Sequence, residues 1–269
     1  MTRKRCLPKL FITFFILLTS APVPAGTGHS AETTGPRISI IIDDIGYRWV
    51  EDHDALDLPG PLAFSIMPHS PHAKLMSRLA VAHGKDVLLH LPMEAMEEQK
   101  NRFLGPGALT LDMTRGQFLE TLHDDLQSFP NIIGVNNHMG SLLTQYPGQM
   151  EWLMESLRNR DIFYVDSLTS SDSVAGTVAR QSRVSYQSRD VFLDDKVNAG
   201  HINAQFDNLL RIARQRGEAI AIGHPHPETL SILRKRLANL EREGVILVSL
   251  TELIRKPPEQ PPLLLTRHP

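Results

Sequence analysis

Two neighbouring carboxylates, Asp43 and Asp44, follow an isoleucine-rich stretch in the segment ISIIIDDIG at residues 38–46. The isoleucines are typical of a strand that is buried on both faces. Two carboxylates this close raise each other's pKa unless a cation relieves their repulsion. A divalent metal bound by one carboxylate would provide that relief, and the other carboxylate would remain available as a base.

Histidines follow three other predicted strands. His90 ends DVLLH, His138 follows IGVNN, and His224 follows AIAIG. The carboxyl ends of parallel strands meet on one face of a barrel, so Asp44, His90, His138 and His224 are expected to converge there. One aspartate and two histidines suit Zn²⁺, which keeps a coordination position open for water.

The orientation of Asp43 and Asp44 sets a condition on this hypothesis. Consecutive strand residues point to opposite faces, so only one of the two carboxylates would face the site on an ideal strand. The strand end must bend if both are to face it, and Gly46 permits such a bend.

Polar residues near other predicted strand ends are further candidates for the site: Glu94, Asn137, Asp166 and His226. Each candidate also has a structural interpretation. The aspartate pair could cap the following helix, and a single histidine could be a hydrogen-bonded core residue or part of a turn. Asp194 and Asp195 are expected to be solvated loop charges.

Strand-like and helix-like segments alternate along the middle of the chain and predict seven or eight β-then-α units. Residues 71–84 predict a helix with Leu75, Leu79 and Val81 on one face, and Thr114 with Gln117 forms a capping-box pattern. The first strand is followed by neither GxGxxG nor a P-loop motif, which disfavours a nucleotide-binding fold. A distorted (β/α) barrel is therefore predicted, with an open doubly wound sheet as the alternative.

Composition and charge are those of an ordinary globular protein. The 269 residues are 41% hydrophobic and 22% charged, with a net charge of −2. Basic residues do not cluster with aromatic ones, so nucleic acid is not expected as a partner.

Four regions are predicted along the chain. Residues 1–25 have the basic start, apolar run and small-residue exit of a secretory signal peptide, and residues 26–36 are a small, polar linker. The barrel domain is expected at residues 37–255, and a proline-rich tail at 256–269. These features predict export across the inner membrane to the periplasm. Membrane attachment is expected only if the signal segment stays uncleaved as an anchor.

Four motifs in order make residues 37–255 similar to the divergent polysaccharide deacetylases, a branch of the NodB-homology superfamily. They are the Asp43-Asp44 pair, HLPME at 90–94, NNHMGS at 136–141 and IGHPHPET at 222–229. The resemblance implies a distorted (β/α) barrel and a metal-dependent hydrolase that removes N-acetyl groups from a polysaccharide.

The resemblance also implies roles for particular residues. Asp43 would be the catalytic base, Asp44 a metal ligand and His224 the general acid. Glu94 stands where typical members have a second histidine ligand, so the second imidazole beside His90 is expected from His138. No counterpart is evident for the arginine motif that steadies the catalytic aspartate in typical members.

Two other functions remain open from the sequence. The barrel could be a non-catalytic carbohydrate-binding or envelope-interaction module, which the Glu94 departure and the missing arginine motif favour. A metal-dependent phosphoesterase would need a second metal and more basic residues at the mouth, and these are not evident in the sequence.

Overall fold

The computed structural model describes residues 35–254. The predicted signal peptide, nearly all of the linker and the proline-rich tail lie outside these residues. The strands are β1 (Arg37–Ile45), β2 (Ala63–Ile66), β3 (Asp86–Met93), β4 (Gly134–Met139), β5 (Phe163–Asp166), β6 (Tyr186–Ser188), β7 (Val191–Phe192), β8 (Glu218–Gly223) and β9 (Ile246–Leu247). The helices are α1 (Trp49–Leu56), α2 (Ala73–Ala82), α3 (Glu98–Asn101), α4 (Arg115–Gln127), α5 (Pro147–Arg158), α6 (Ala175–Ser182), α7 (Ala199–Arg216), α8 (Pro227–Leu237) and α9 (Leu250–Leu253). Within residues 35–254, no helix is long and apolar enough to cross a membrane.

All strand pairs in the sheet are parallel, and the strand order is β6-β5-β4-β3-β2-β1-β8-β7, with β9 beside the start of β1. β6 and β7 lie at opposite ends of this order, yet only Arg189 and Asp190 separate them in the chain. Three peptide steps span at most about 11 Å, whereas eight flat strands would span roughly 34 Å. The sheet must therefore curl into a partial barrel, and the predicted distorted (β/α) barrel is confirmed over the open doubly wound sheet.

The inside of the curled sheet has an apolar layer and, above it, a polar layer. The apolar layer contains Ile41, Ala63, Leu88, Val165 and Ile222, which belong to the smaller of two hydrophobic clusters. Side chains two positions further along a strand point to the same side. The polar layer therefore contains Asp43, Ser65, His90, Ser167 and His224. The strand period places these polar residues at the carboxyl-terminal mouth.

The larger hydrophobic cluster lies between the sheet and the helices that surround it. In α4, the predicted capping box of Thr114 and Gln117 is present, and Phe118 and Leu122 face the core. In α2, the predicted stripe is wrong for Leu75 and Val81, which are nearly half exposed, whereas Leu79 is partly buried against the core. The residues that the helix buries fully are Ala73, Met76, Ser77 and Ala80. Most of these buried residues have small side chains, which the spacing of the larger apolar residues does not reveal.

Candidate active site

Strand register brings the predicted imidazoles together. β3 runs on to Met93 and β4 to Met139, so His90 and His138 lie within strands rather than directly at their ends. His90 pairs with Asn136 on β4, and His138 follows two residues later on the same face. One side of these neighbouring strands therefore carries His90, Asn136 and His138.

The chain turns at Asp44 itself, so that both aspartates reach the site. Asp44 has a left-handed backbone with φ of 60°, and the β1–β2 register shifts between Ile42 and Ile45. A left-handed aspartate costs about 1 kcal/mol, and such strain is concentrated at functional sites. The bend was expected to depend on Gly46. Gly46 is also left-handed, with φ of 122°, but the residue that redirects the second carboxylate is Asp44.

Asp44, His90 and His138 offer three ligand atoms at the corners of a small triangle. Oδ1 of Asp44 lies 3.0 Å from Nδ1 of His138 and 3.2 Å from Nε2 of His90. The two ring nitrogens lie 3.2 Å apart. In a tetrahedral zinc site with bonds of about 2.0–2.1 Å, neighbouring ligand atoms are separated by roughly 3.3 Å. The triangle has the size of one face of such a site.

The donor set also fits a cation on chemical grounds. Oδ1 of Asp44 is buried and, within residues 35–254, accepts no hydrogen bond of acceptable angle despite the two nearby nitrogens. A buried carboxylate oxygen without a partner is costly. One carboxylate and two imidazoles satisfy the preference of Zn²⁺ and leave a fourth position open. These residues can therefore hold a divalent metal ion.

The charges around the triangle shift the pKa values of its members. Burial alone would raise the pKa of Asp44, but the nearby imidazoles of His138 and His90, which can carry positive charge, hold it well below its usual value. Burial lowers the pKa of His90, while the charges of Asp43 and Asp44 raise it, and the net direction is upward. A metal ion would compete with the proton for this imidazole.

Asp43 lies beside the triangle and is more deeply buried than Asp44. Its side chain is nearly fully buried, with Oδ1 accepting a hydrogen bond from Asn136 Nδ2 at 2.8 Å. Oδ2 is 3.6 Å from Nε2 of His90. Burial raises the pKa of Asp43, an effect that the nearby His90 and His224 only partly offset. A carboxyl group with a raised pKa beside a metal site is suited to accept a proton.

His224 faces the triangle from the end of β8 and is held by Asp194. Its Nε2 lies 3.7 Å from Oδ2 of Asp44, and its Nδ1 lies 2.9 Å from Oδ1 of Asp194. Burial lowers the pKa of His224, but the bond to Asp194 and the charges of Asp44, Asp194 and Asp43 raise it to about 9. The ring is thus poised to carry a proton towards the site.

The expectation that Asp194 is a solvated loop charge was wrong. Its carboxylate is buried, and Oδ2 accepts hydrogen bonds from the backbone of His224 at 2.7 Å and from Thr229 at 2.8 Å. The neighbouring Asp195 behaves as expected, since it is half exposed and pairs with His201. Asp194 and Asp195 are the second and third residues after the two-residue strand β7, where a side chain can point either way, so the sequence did not distinguish them.

His226 lies beside this pair, and ligand atoms of Asp194, His224 and His226 fall within 4.8 Å of one another. Burial lowers the pKa of His226, which favours its neutral form. The oxygens of Asp194 are already used by His224 and Thr229, so this group lacks the free carboxylate oxygen found at Asp44.

The structure does not bring Glu94 to the triangle. Its Oε2 accepts a hydrogen bond from the backbone of Leu111 at 2.7 Å, and its own carbonyl accepts from Leu142 and Leu143. Glu94 therefore fastens the loops after β3 and β4. Glu94 stands where the resemblance places a second histidine ligand, but its contacts here are structural. The second imidazole of the triangle comes from His138.

Asn137 and Asp166 also stabilise loops around the mouth. Oδ1 of Asn137 accepts from Tyr164 at 3.0 Å and from the backbone of Ser167 at 2.9 Å. Asp166 accepts from Ser173 at 2.6 Å and from the backbone of Leu168 at 2.8 Å. Both residues shape the surroundings of the site without facing the triangle.

Arg189 occupies the junction between β6 and β7, next to the site. It donates to the carbonyl oxygens of Ser167 at 2.7 Å and Leu168 at 3.0 Å, and lies over the ring of Phe192. Burial lowers the pKa of this guanidinium, against the opposing charges of Asp166 and Asp43. Within the described part of the chain, the hydrogen bonds of the Arg189 guanidinium go to these backbone carbonyls. The carboxylate of Asp43 is hydrogen-bonded instead by the side-chain amide of Asn136.

Comparisons with known proteins agree with this architecture. Residues 40–254 match the family model described as divergent polysaccharide deacetylase. The uncharacterized protein YibQ of Escherichia coli strain K12 is 33% identical over 242 residues, covering 90% of this chain and 72% of YibQ.

Two crystal structures share the fold. An uncharacterized protein from Agrobacterium tumefaciens C58 superposes with a TM-score of 0.79 at 24% identity, covering 82% of this chain and 89% of that one. The catalytic domain of a peptidoglycan N-acetylglucosamine deacetylase from Eubacterium rectale gives a TM-score of 0.52 at 13% identity, covering 87% and 93%. The family match spans nearly all of the described residues, and the chain belongs to the divergent polysaccharide deacetylase family.

Proposed function

We propose that this protein is a metal-dependent hydrolase that removes N-acetyl groups from an envelope glycan. The observation that carries the proposal is the triangle of Asp44, His90 and His138, which lies between a buried carboxyl and an aspartate-held imidazole. A site for one metal, a base and an acid are the three parts that metal-assisted hydrolysis of an amide uses at neutral pH.

Asp44, His90 and His138 would hold the metal, with Zn²⁺ as the ion that best suits the donors. When bound, the ion supplies Lewis-acid polarisation of the substrate carbonyl and of water. The residues would be arranged before the substrate arrives, because the three strands that carry them are hydrogen-bonded neighbours or nearly so.

Asp43 would accept a proton from the attacking water at Oδ2, since Oδ1 is occupied by Asn136. His224 would donate the proton on Nε2 to the departing amine as the carbon–nitrogen bond breaks. Asp194 accepts the hydrogen on Nδ1 and so stabilises the charged ring until that transfer. Acetate and a free amino sugar would be the products.

The polysaccharide is proposed from the family and from the predicted export of the chain. A fold relative acts on peptidoglycan N-acetylglucosamine, so N-acetylglucosamine polymers are the first substrates to test. The signal-peptide pattern at residues 1–25 would place the mature domain in the periplasm, where such polymers occur. Cell fractionation checks this location.

The proposal is tested by measuring metal content and acetate release on the purified mature domain. N-acetylglucosamine oligomers and peptidoglycan fragments serve as probes. Bound zinc near one equivalent, and acetate release that stops on chelation and returns with zinc, would support the hydrolase. Glycan binding with neither bound metal nor acetate release would instead identify a non-catalytic binding module. Phosphate release from phosphoesters would identify a phosphoesterase.

A further inference from the structure

The side-chain amide of Asn136 touches both Asp43 and His90. Its Nδ2 donates to Asp43 Oδ1 at 2.8 Å, and its Oδ1 accepts from His90 Nδ1 at 2.9 Å. The hydroxyl of Ser65 also donates to Oδ1. All four residues are at most 3% exposed. Because the groups are this deeply buried, each hydrogen bond needs a definite donor and a definite acceptor.

The charge of Asp43 determines which way the amide points. An ionised carboxylate only accepts hydrogen bonds, so it must face the NH₂ group of Asn136. The rotated amide would place its oxygen against the carboxylate and its NH₂ group against His90. The oxygen of Asn136 is therefore directed at His90 and Ser65, which must both donate.

The amide in turn determines the tautomer of His90. With the hydrogen on Nδ1 donated to Asn136, the lone pair of the neutral ring lies on Nε2. That nitrogen is 3.2 Å from Oδ1 of Asp44 and 3.2 Å from Nδ1 of His138. Hydrogen bonds to the distal nitrogen of a ligating histidine fix its tautomer and raise its affinity for metal.

We propose that Asn136 is a positioning residue that makes the metal affinity of His90 depend on the charge of Asp43. The inference rests on the proposed function, because it takes His90 as a ligand and Asp43 as the base. It has a consequence for the usual base-removing substitution. Asp43→Asn would leave two amides that can pair in either orientation, so it should loosen the metal although residue 43 is not a ligand.

A polarity swap tests the proposal. In Asp43→Asn/Asn136→Asp, the new amide at position 43 donates to the new carboxylate at position 136, which still accepts from His90 and Ser65. We expect Asp43→Asn alone to lower zinc affinity by about 10–100-fold. The swap should restore affinity to within about threefold of the wild type. Acetate release should stay lost in both variants, because neither has a base at position 43.

A matched control separates the hydrogen-bond relay from simple charge. Asp43→Asn/Asn198→Asp restores the same net charge away from the site, where the side chain accepts a hydrogen bond from the backbone of His201 at the start of α7 and does not contact His90. This control should not regain zinc affinity. Equal recovery in both double variants would show that net charge alone matters and would overturn the proposal.

The tautomer can also be measured without any variant at position 136. Nitrogen-15 spectra of zinc-loaded and metal-free protein, at a pH where the ring is neutral, should place the hydrogen of His90 on Nδ1. His90→Gln assigns the signal. A hydrogen on Nε2 overturns the inference even if acetate release is observed. If the protein neither binds zinc nor releases acetate, the proposed function fails, but the metal-free spectrum still decides what Asn136 does.

Discussion

Two carboxylate–imidazole clusters in this chain have similar side chains but opposite electrostatics. At the mouth, His90 and His138 converge on Asp44, and its pKa lies well below the usual value. Between α4 and the loop after β2, Asp125 Oδ1 lies 2.8 Å from Nε2 of His69. Burial and the charge of Asp124 nevertheless raise the pKa of Asp125 to about 8.

The difference shows that the number and charge of the neighbouring groups, and not the presence of a histidine, decide the state of a buried carboxyl. Nitrogens of two imidazoles lie within 3.2 Å of one oxygen of Asp44, whereas Asp125 has one imidazole nearby and the charge of Asp124 beside it. Oδ2 of Asp125 is buried and has no hydrogen-bond partner within residues 35–254, and Gly107 packs tightly against the same carboxyl. The first cluster is suited to hold a cation, whereas the second favours a neutral carboxyl.

The same substitution in both clusters should have unequal effects. We expect Asp44→Asn to abolish zinc binding and to lower acetate release from N-acetylglucosamine oligomers at least about a thousandfold, because a Lewis acid contributes several kcal/mol. Asp125→Asn should leave zinc content and acetate release unchanged. Elemental analysis and an acetate assay on both variants check this, and equal loss in the two would contradict the assignment of the mouth as the metal site.

Removing the carboxylate of Asp194 that hydrogen-bonds His224 should have the next largest effect on activity. Asp194→Asn removes the charge that stabilises the protonated ring, and acetate release at fixed pH should fall about a hundredfold with zinc content unchanged. Asp195→Asn is the matched control, since its side chain is half exposed and pairs with His201 instead. Similar rates for the two variants would exclude His224 as an aspartate-held acid.

Because Gly107 packs tightly against Asp125, a larger residue at position 107 should lower the stability of the fold. A Cβ at Gly107 would overlap Oδ1 of Asp125, and the residue has φ of +80°. Gly107→Ala should lower the free energy of unfolding by about 2–4 kcal/mol, from overlap and left-handed strain together. Gly84→Ala carries similar strain at φ of +68° but faces open space, so it should cost about 1 kcal/mol. Urea denaturation of both variants isolates the overlap.

The raised pKa of Asp125 predicts a smaller, pH-dependent effect. The folded state favours the protonated carboxyl up to a pKa of about 8, whereas the ordinary value is 3.8. Its contribution to stability is thus complete at acidic pH and is lost as the pH rises towards 8. Between pH 5 and 8, wild type should lose about 1 kcal/mol or more relative to Asp125→Asn. Parallel stability curves for the two proteins would show that this carboxyl is already ionised when folded.

Much of the fold could be predicted from short-range patterns. The alternation of apolar strands with amphipathic helices indicated a parallel barrel, and the capping box at Thr114 placed the start of α4. The face of α2 was predicted wrongly for Leu75 and Val81, because three of the four residues that the helix buries, Ala73, Ser77 and Ala80, have small side chains that add little to an apolar pattern. Packing distance between elements is not encoded in the apolar pattern of one element.

The candidate site was predictable only in part. The sequence placed Asp44, His90 and His138 on one face, but the candidates drawn from it included Asn137 and not Asn136, and Asp194 was expected to be solvated. Asn136 pairs with His90 across β3 and β4, so its role depends on the register between strands far apart in the chain. The role of Asp194 depends on the direction in which the chain leaves β7.

The sequence by itself determined which residue types lie at or near the carboxyl ends of the strands and that those ends share one face, because strand and helix periods are local properties and their alternation makes the strands parallel. Only the tertiary structure decided which side chains touch. The left-handed turn at Asp44 and the register of β3 with β4 direct the atoms towards a common point. A hydrogen bond or a metal bond tolerates errors of only a few tenths of an ångström, and that precision comes from long-range packing.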